Sequence, residues 1–232
     1  MTAANVPPDS FLIDARNRMV DSQVRPNKVS DPRILDAMRH LPRERFLPDA
    51  LLALAYADQN VPLGSGRVLL QPLALARLVQ AAVPAPGEKV LVVAAGTGYS
   101  AALFAALGCD VTALEEPGTL LDQAKTALAA TAPAVRLVGG SLSAGWPAGA
   151  PYDIILIDGA VPEVPRTVTN QLNQQTGRLL TVVAPNTGTG GVQRTGLAVQ
   201  AEPTSAGVSL RTLFDFLCPI LPGFAAAPAF EF

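Results

Sequence analysis

The chain has 232 residues, of which 49% are apolar and only 16% charged. That composition excludes a disordered chain, and the length suits one large domain, or one with an appendage, with about 70% of its surface buried. Seventeen Lys and Arg against 19 Asp and Glu leave a net charge of −2, which gives no footing to a general nucleic-acid or anionic-membrane binder.

Residues 1 to about 12, with Pro7-Pro8, read as a lead-in, and residues 12–55 as helical. Ser30 or Asp31 caps a helix whose first turn carries Pro32, where the missing N–H does no harm. Ile34, Leu35, Met38 and Leu41 then recur at helical spacing. Residues 48–56 predict another short helix, Gly64 and Gly66 a loop, and residues 71–82 a strongly apolar helix. Residues 89–94 (KVLVVA) are a continuous β-branched run, the mark of a strand buried on both faces. Helices over 99–107, 120–130 and 164–172 alternate with strands over 110–114, 135–138, 153–157 and 178–183. This alternation predicts an α/β fold, a doubly wound and mostly parallel sheet with helices on both faces and an N-terminal helical extension. Residues 1–83 form the helical region and loop, and residues 84–232 the Rossmann-like core; the two are expected to pack as one compact domain. Weaker strand signals lie at 197–201 and 210–216, and the apolar tail FAAAPAFEF is expected to dock on the body.

Cys109 and Cys218 fit no metal spacing and read as two buried reduced thiols. The single His40 supplies neither a zinc site nor the base of a hydrolytic triad, and reads as a helix-end residue. No metal is expected. The first 18 residues have no basic stretch leading into an apolar one. The greasiest stretch, 68–83, is broken by Gln71, Pro72, Arg77 and Gln80. A cytoplasmic protein, a monomer or weak homodimer without membrane or nucleic-acid partners, is the expectation.

The informative segment is VLVVAAGTGYSAAL, residues 90–103. A buried strand runs through Ala94, Ala95, Gly96, Thr97 and Gly98 into a helix opened by Tyr99. Gly96 and Gly98 let the backbone approach a ligand, and free N–H groups at the helix start favour a polar or anionic group. Glu115 closes the next strand, beside the first, where a carboxylate accepts both hydroxyls of a ribose; Glu116 competes for the role from one residue further on. Ala94 stands where a dinucleotide fingerprint has its first glycine, so an adenosine ligand without a pyrophosphate suits the site better than a nicotinamide dinucleotide.

In this order the motifs resemble those of the protein-L-isoaspartate O-methyltransferases, over nearly the whole chain. The matching segments are AMRHLPRERFLP (37–48), AYADQNVPLGSGRVLLQP (55–72), VLVVAAGTGY (90–99), VTALEE (111–116), GSLSAGWPAGAPYDIILIDGA (140–160) and QLNQQTGRLLTVV (171–183). The resemblance implies a class I methyltransferase fold, S-adenosyl-L-methionine as cofactor, and methylation of isoaspartyl carboxylates in damaged proteins. It implies cofactor contacts from Ala94, Ala95, Gly96, Thr97, Gly98, Tyr99, Glu115, Glu116, Ser141 and Leu142. Four departures stand out. The family's substrate-loop serine and threonine fall on Leu70 and Val68, the acidic residue of its first glycine motif on Val92, and the aspartate that reads the adenine amino group on Ser141. Leu70 and Val68 donate no hydrogen bond. Methyl transfer from a sulfonium needs an aligned nucleophile more than an acid or base, because a carboxylate is already ionised at pH 7. The acceptor is therefore a protein or peptide, or, with the changed loop, a small or carrier-bound molecule; a non-catalytic adenosyl-binding homologue is the third reading.

No catalytic residue stands out; the candidates are Asp158 and Arg67, with Leu70 at the serine position. Asp158 ends the fourth predicted strand, near the methyl group or substrate or as a cap for the next helix. Arg67, at a family glutamine, is a holder of a carboxylate substrate or a solvated loop cation. Trp146, Tyr56 and Asp58 read as packing and turn residues, and residues 42–45 (PRER) as a helix-end salt-bridge site.

Overall fold

The computed structural model describes residues 9–184, 193–205 and 207–224. Helix α1 (Asp9–Arg18) runs on through a π-helical turn (Met19–Val24) and a 3-10 turn (Arg25–Asn27). Helix α2 (Pro32–His40) begins as its sequence demands, with the Asp31 side chain accepting from Arg33 N–H and Pro32 in the first turn. Two 3-10 segments (Arg43–Phe46, Asp49–Leu54) lead into a hairpin of β1 (Val61–Gly64) and β2 (Arg67–Leu69), then α3 (Pro72–Ala82). The core follows as β3 (Lys89–Val93), α4 (Tyr99–Ala106), β4 (Asp110–Glu115), α5 (Thr119–Thr131), β5 (Arg136–Gly139), β6 (Ile154–Val161), α6 (Arg166–Thr169), β7 (Arg178–Val183), β8 (Gln193–Thr204) and β9 (Gly207–Pro219). A 3-10 turn, Pro222–Phe224, comes last among the described residues.

The large sheet has seven strands in the order β5-β4-β3-β6-β7-β8-β9. The first five are mutually parallel; β8 runs antiparallel to β7 and β9 antiparallel to β8. The strand order reverses between β3 and β6, and ligands of open α/β sheets bind at that point, beyond the carboxyl ends of the strands. Alternate residues of β3 serve opposite faces. Val90 and Val92 join a core cluster with Met19, Ile34, Phe46 and Leu70, so segments before residue 84 cover one face. Leu91 and Val93 join a second cluster with Leu142, Tyr152 and Ile157 on the other.

Several elements differ from the sequence expectation. The first helix already starts at Asp9, and the lead-in's residues 1–8 lie outside the described residues. Gly64 closes β1 and Gly66 lies in the tight turn of a β-hairpin, rather than both in an open loop; strands of three and four residues are too short to show period-two patterning. The helix expected over 164–172 is a single turn after Pro165. Strand β6 continues past Ile157 to Val161, because all eight of its residues are buried and its ladder with β7 resumes after a bulge. Strands β8 and β9 have 12 and 13 residues: their mutual ladder runs from Gln193–Pro219 to Thr204–Gly207, past the stretch where β8 also pairs with β7 and where Ala198, Phe216 and Cys218 join the core. Of the apolar tail, Phe224 packs on the second cluster, and residues 225–232 lie outside the described residues. Both cysteines are free, with Cys218 buried and Cys109 only partly so, which corrects the expectation of two buried thiols. Cys109 follows the turn after α4, with its sulfur 3.6 Å from the Ala85 carbonyl oxygen. Among the described residues no helix is long and apolar enough to cross a membrane.

Candidate functional site

The registers bring three strand ends together. Val93 pairs with Leu114 on one side and Ile157 on the other, so Ala94 sits between Glu115 and Asp158. Ala94 has a positive φ of 62°, a left-handed conformation that costs a residue with a Cβ about 1–2 kcal/mol. The turn continues through Gly96 (φ 58°) and Gly98 (φ 99°) into α4.

Glu115 does lie at the rim of this turn, but it is 1% exposed and fully engaged. Arg67 of β2 grips it as a fork, Nη1 donating to Oε1 at 2.8 Å and Nη2 to Oε2 at 2.9 Å. Gly96 N–H donates to Oε2 at 2.6 Å and Glu116 N–H to Oε1 at 2.9 Å. Arg67 Nη2 also donates to the Ala94 carbonyl at 2.7 Å, the oxygen of the left-handed residue. Arg67 is 6% exposed. It is therefore neither a solvated loop cation nor a free holder of an external carboxylate: the carboxylate it holds is Glu115.

The hairpin closes the turn in a second way. A Cβ on Gly96 would lie 3.3 Å from Leu63 Cδ1 of β1. A Cβ on Gly98 would lie 2.9 Å from Leu128 of α5. The close neighbours of these glycines are thus the chain's own leucines, where the sequence reading expected a ligand. At the far end Glu116 is exposed, and the last 3-10 turn leans on it, a Cβ on Gly223 reaching to 3.4 Å from Glu116 Oε1 and 3.6 Å from Leu142. Leu142 is buried among apolar side chains; Ser141 is exposed, with its Oγ 3.2 Å from Ser143 Oγ. Val92 is buried and offers no charge.

Asp158 is 8% exposed and lies inside β6 rather than at its end. Among the described residues it caps no helix: its Oδ2 accepts from Ser100 Oγ of α4, and its Oδ1 has no partner. Burial pushes its pKa up to about 6, against the pull of the Ser100 hydrogen bond and of Arg67 and Arg43. Ala95 is buried behind the turn, its N–H donating to Leu114 O at 3.1 Å. Thr97, 2% exposed and with an Oγ1 that has no partner among the described residues, lines a cavity of about 370 Å³ together with Phe46, Leu47, Gln123 and Ala127. Tyr99 is fully buried, edge-on to Phe46 at 5.3 Å and under Arg43, whose guanidinium carbon is 4.8 Å from the ring centre.

Arg43 was expected at a helix-end salt bridge. Instead it is wholly buried and clamps two loops, Nε donating to Ala55 O at 2.8 Å and Nη2 to Leu70 O at 2.6 Å. The salt bridge of that segment belongs to Glu44, which pairs with Arg16 at 3.2 Å and accepts from Tyr56 OH. Leu70 is 1% exposed. Sequence reasoning missed Ser100, Leu63 and the clamping role of Arg43; their partners are backbone carbonyls or residues distant in sequence, which no local spacing announces.

The model of the family named protein-L-isoaspartate(D-aspartate) O-methyltransferase matches residues 14–202. The chain belongs to this family. Membership places it among S-adenosylmethionine-dependent methyltransferases of protein carboxylates, as the motif resemblance implied. A protein-L-isoaspartate O-methyltransferase of Methylorubrum extorquens is 42% identical over 74% of this chain and 75% of its own length. One of Methanoregula boonei is 40% identical over 73% and 78%. Among solved structures, a protein-L-isoaspartate O-methyltransferase superposes with a TM-score of 0.76 at 23% identity, covering 90% of this chain and 67% of its own. A Plasmodium falciparum structure described as containing S-adenosyl-L-homocysteine gives 0.72 at 16% identity, covering 88% and 96%. These two share the fold.

The arrangement of side chains does not fit a bound nucleoside. A carboxylate has about four acceptor positions, and on Glu115 all four are taken, two of them by Arg67. A ribose diol enters only where Arg67 leaves.

Proposed function

We propose that the protein is a methyltransferase of the isoaspartyl-repair type, using S-adenosyl-L-methionine to esterify a side-chain carboxylate of a damaged cytoplasmic protein, in a form whose nucleoside groove is closed by its own hairpin. Family membership across most of the chain carries the reading, and the position of Glu115 at the close of β4, one strand from the glycine turn, supports it. The acceptor carboxylate is ionised at neutral pH and needs no base from the protein. The work of residues 1–83 is then to position it, and that of residues 84–232 to form the groove, the two acting as one unit. Methylation of an isoaspartyl peptide with radiolabelled methyl donor tests the reading: base-labile methyl ester above the rate of a heat-inactivated control is expected. Failure to bind S-adenosylhomocysteine at millimolar concentration overturns it.

A second acceptor class has one specific observation in its favour. Val68 in β2 is half-buried and Leu70, just after β2, is buried; these are the positions where the motif resemblance puts the substrate-loop threonine and serine, and neither side chain has a hydroxyl to offer an isoaspartyl group. Turnover on a small carboxylate but not on the peptide would select that reading.

A further inference from the structure

We propose that Arg67 is an internal competitor for the nucleoside site, so that cofactor affinity in this protein is set by displacement of the β1–β2 hairpin. The inference rests on the methyltransferase reading and adds the residue that governs access to its groove. Arg67 offers Glu115 two parallel N–H donors, the same number that a ribose offers through its two vicinal hydroxyls, and a guanidinium fork matches a carboxylate plane closely. The remaining two acceptor positions belong to Gly96 and Glu116 N–H groups, which are fixed parts of the turn. The diol therefore has no vacant position to take and must replace the fork.

The occupant is built in rather than casual. Arg67 is 6% exposed, its third bond goes to the Ala94 carbonyl, and Leu63 from the partner strand covers Gly96. Arg43 fastens the base of the same hairpin through Leu70 O. Withdrawing Arg67 moves β2 as a piece, taking the Leu63 side chain off the turn. Binding energy for the nucleoside is then partly spent on opening the hairpin, and the apparent affinity falls by the fraction of molecules that are open.

The test is isothermal titration of wild type and Arg67→Gln with S-adenosylhomocysteine, joined by hydrogen exchange of the wild-type hairpin. Glutamine keeps one donor and loses the fork and the charge. The expected result is binding at least threefold, and of the order of tenfold, tighter in the variant. Amides of residues 61–69 in wild type should exchange faster when the ligand is bound. Affinities within threefold of each other overturn the competitor and leave the methyltransferase reading standing. No binding by either protein overturns that reading and the inference with it. Should Arg67→Gln fail to fold, the exchange measurement decides: unchanged or slower exchange of the hairpin on binding refutes the displacement.

Discussion

Two buried carboxylates flank Ala94, and they are treated in opposite ways. Glu115 has a guanidinium fork and two backbone N–H donors. Asp158 has, among the described residues, one serine hydroxyl and an oxygen with no partner. Their exposures, 1% and 8%, are nearly the same. Partners, not burial, separate them: the first sits in a closed network of four donors, and the second is pushed toward its neutral form. One side of the strand end is saturated and the other is left wanting.

The sharpest way to break this comparison is to remove the fork alone. Arg67→Leu leaves Glu115 buried without its counter-charge and should cost about 3–5 kcal/mol of unfolding free energy, while the double variant with Glu115→Leu should return to within about 1–2 kcal/mol of wild type. Urea denaturation of the set at pH 7.5 reads it; a single variant as stable as wild type would show that the pair contributes nothing.

Asp158→Asn is expected to act next most strongly, and in the other direction. A carboxyl raised to about 6 in the folded protein, against 3.8 ordinarily, takes up its proton more readily folded than unfolded. Its ionisation therefore destabilises the fold above pH 6, and the destabilisation disappears as pH falls toward 4. Asparagine should stabilise the protein at pH 8 by about 1–3 kcal/mol, with the difference from wild type fading by pH 4–5. A difference that does not change between pH 8 and pH 4.5 would remove Asp158 from the comparison.

Ser100→Ala takes away the hydroxyl that donates to Asp158. About 1.5 kcal/mol should be lost at pH 8, with less lost at pH 5, and the titration midpoint of Asp158 should rise as followed by carboxyl-carbon NMR. An unchanged midpoint would mean that the hydroxyl is not what holds the charge there. The smallest effect sets the scale from outside the groove. Asp31 caps α2 through Arg33 N–H at 2.9 Å, and Asp31→Ala should cost about 1 kcal/mol, with no influence on ligand binding. Thermal melts with and without S-adenosylhomocysteine check both points, and a changed ligand response would tie this distant cap to the groove.

Most of the architecture was legible in the sequence because it is written in short-range patterns. The run of residues 89–93 with no polar side chain after Lys89 specifies a strand covered on both faces, and the Asp31-Pro32 pair specifies where α2 begins. The alternation of such runs with helical segments specifies the parallel sheet, and the order of motifs specifies the family. The carboxylate at the close of β4 was visible for the same reason: it lies at a fixed interval after a strand and a glycine turn.

What occupies that carboxylate was not visible. Arg67 and Glu115 are far apart in the chain, and nothing local distinguishes a guanidinium that faces water from one that folds back onto a strand end. The hairpin that delivers it has strands too short to carry a pattern. Arg43 reads as part of a helix-end salt-bridge site in its own segment, and the Ala55 and Leu70 carbonyls that converge on it instead are distant in sequence. Residue spacing along one chain specifies elements and their order. The partner of a buried charge is chosen by the desolvation that accompanies packing, which exists only once distant segments have come together.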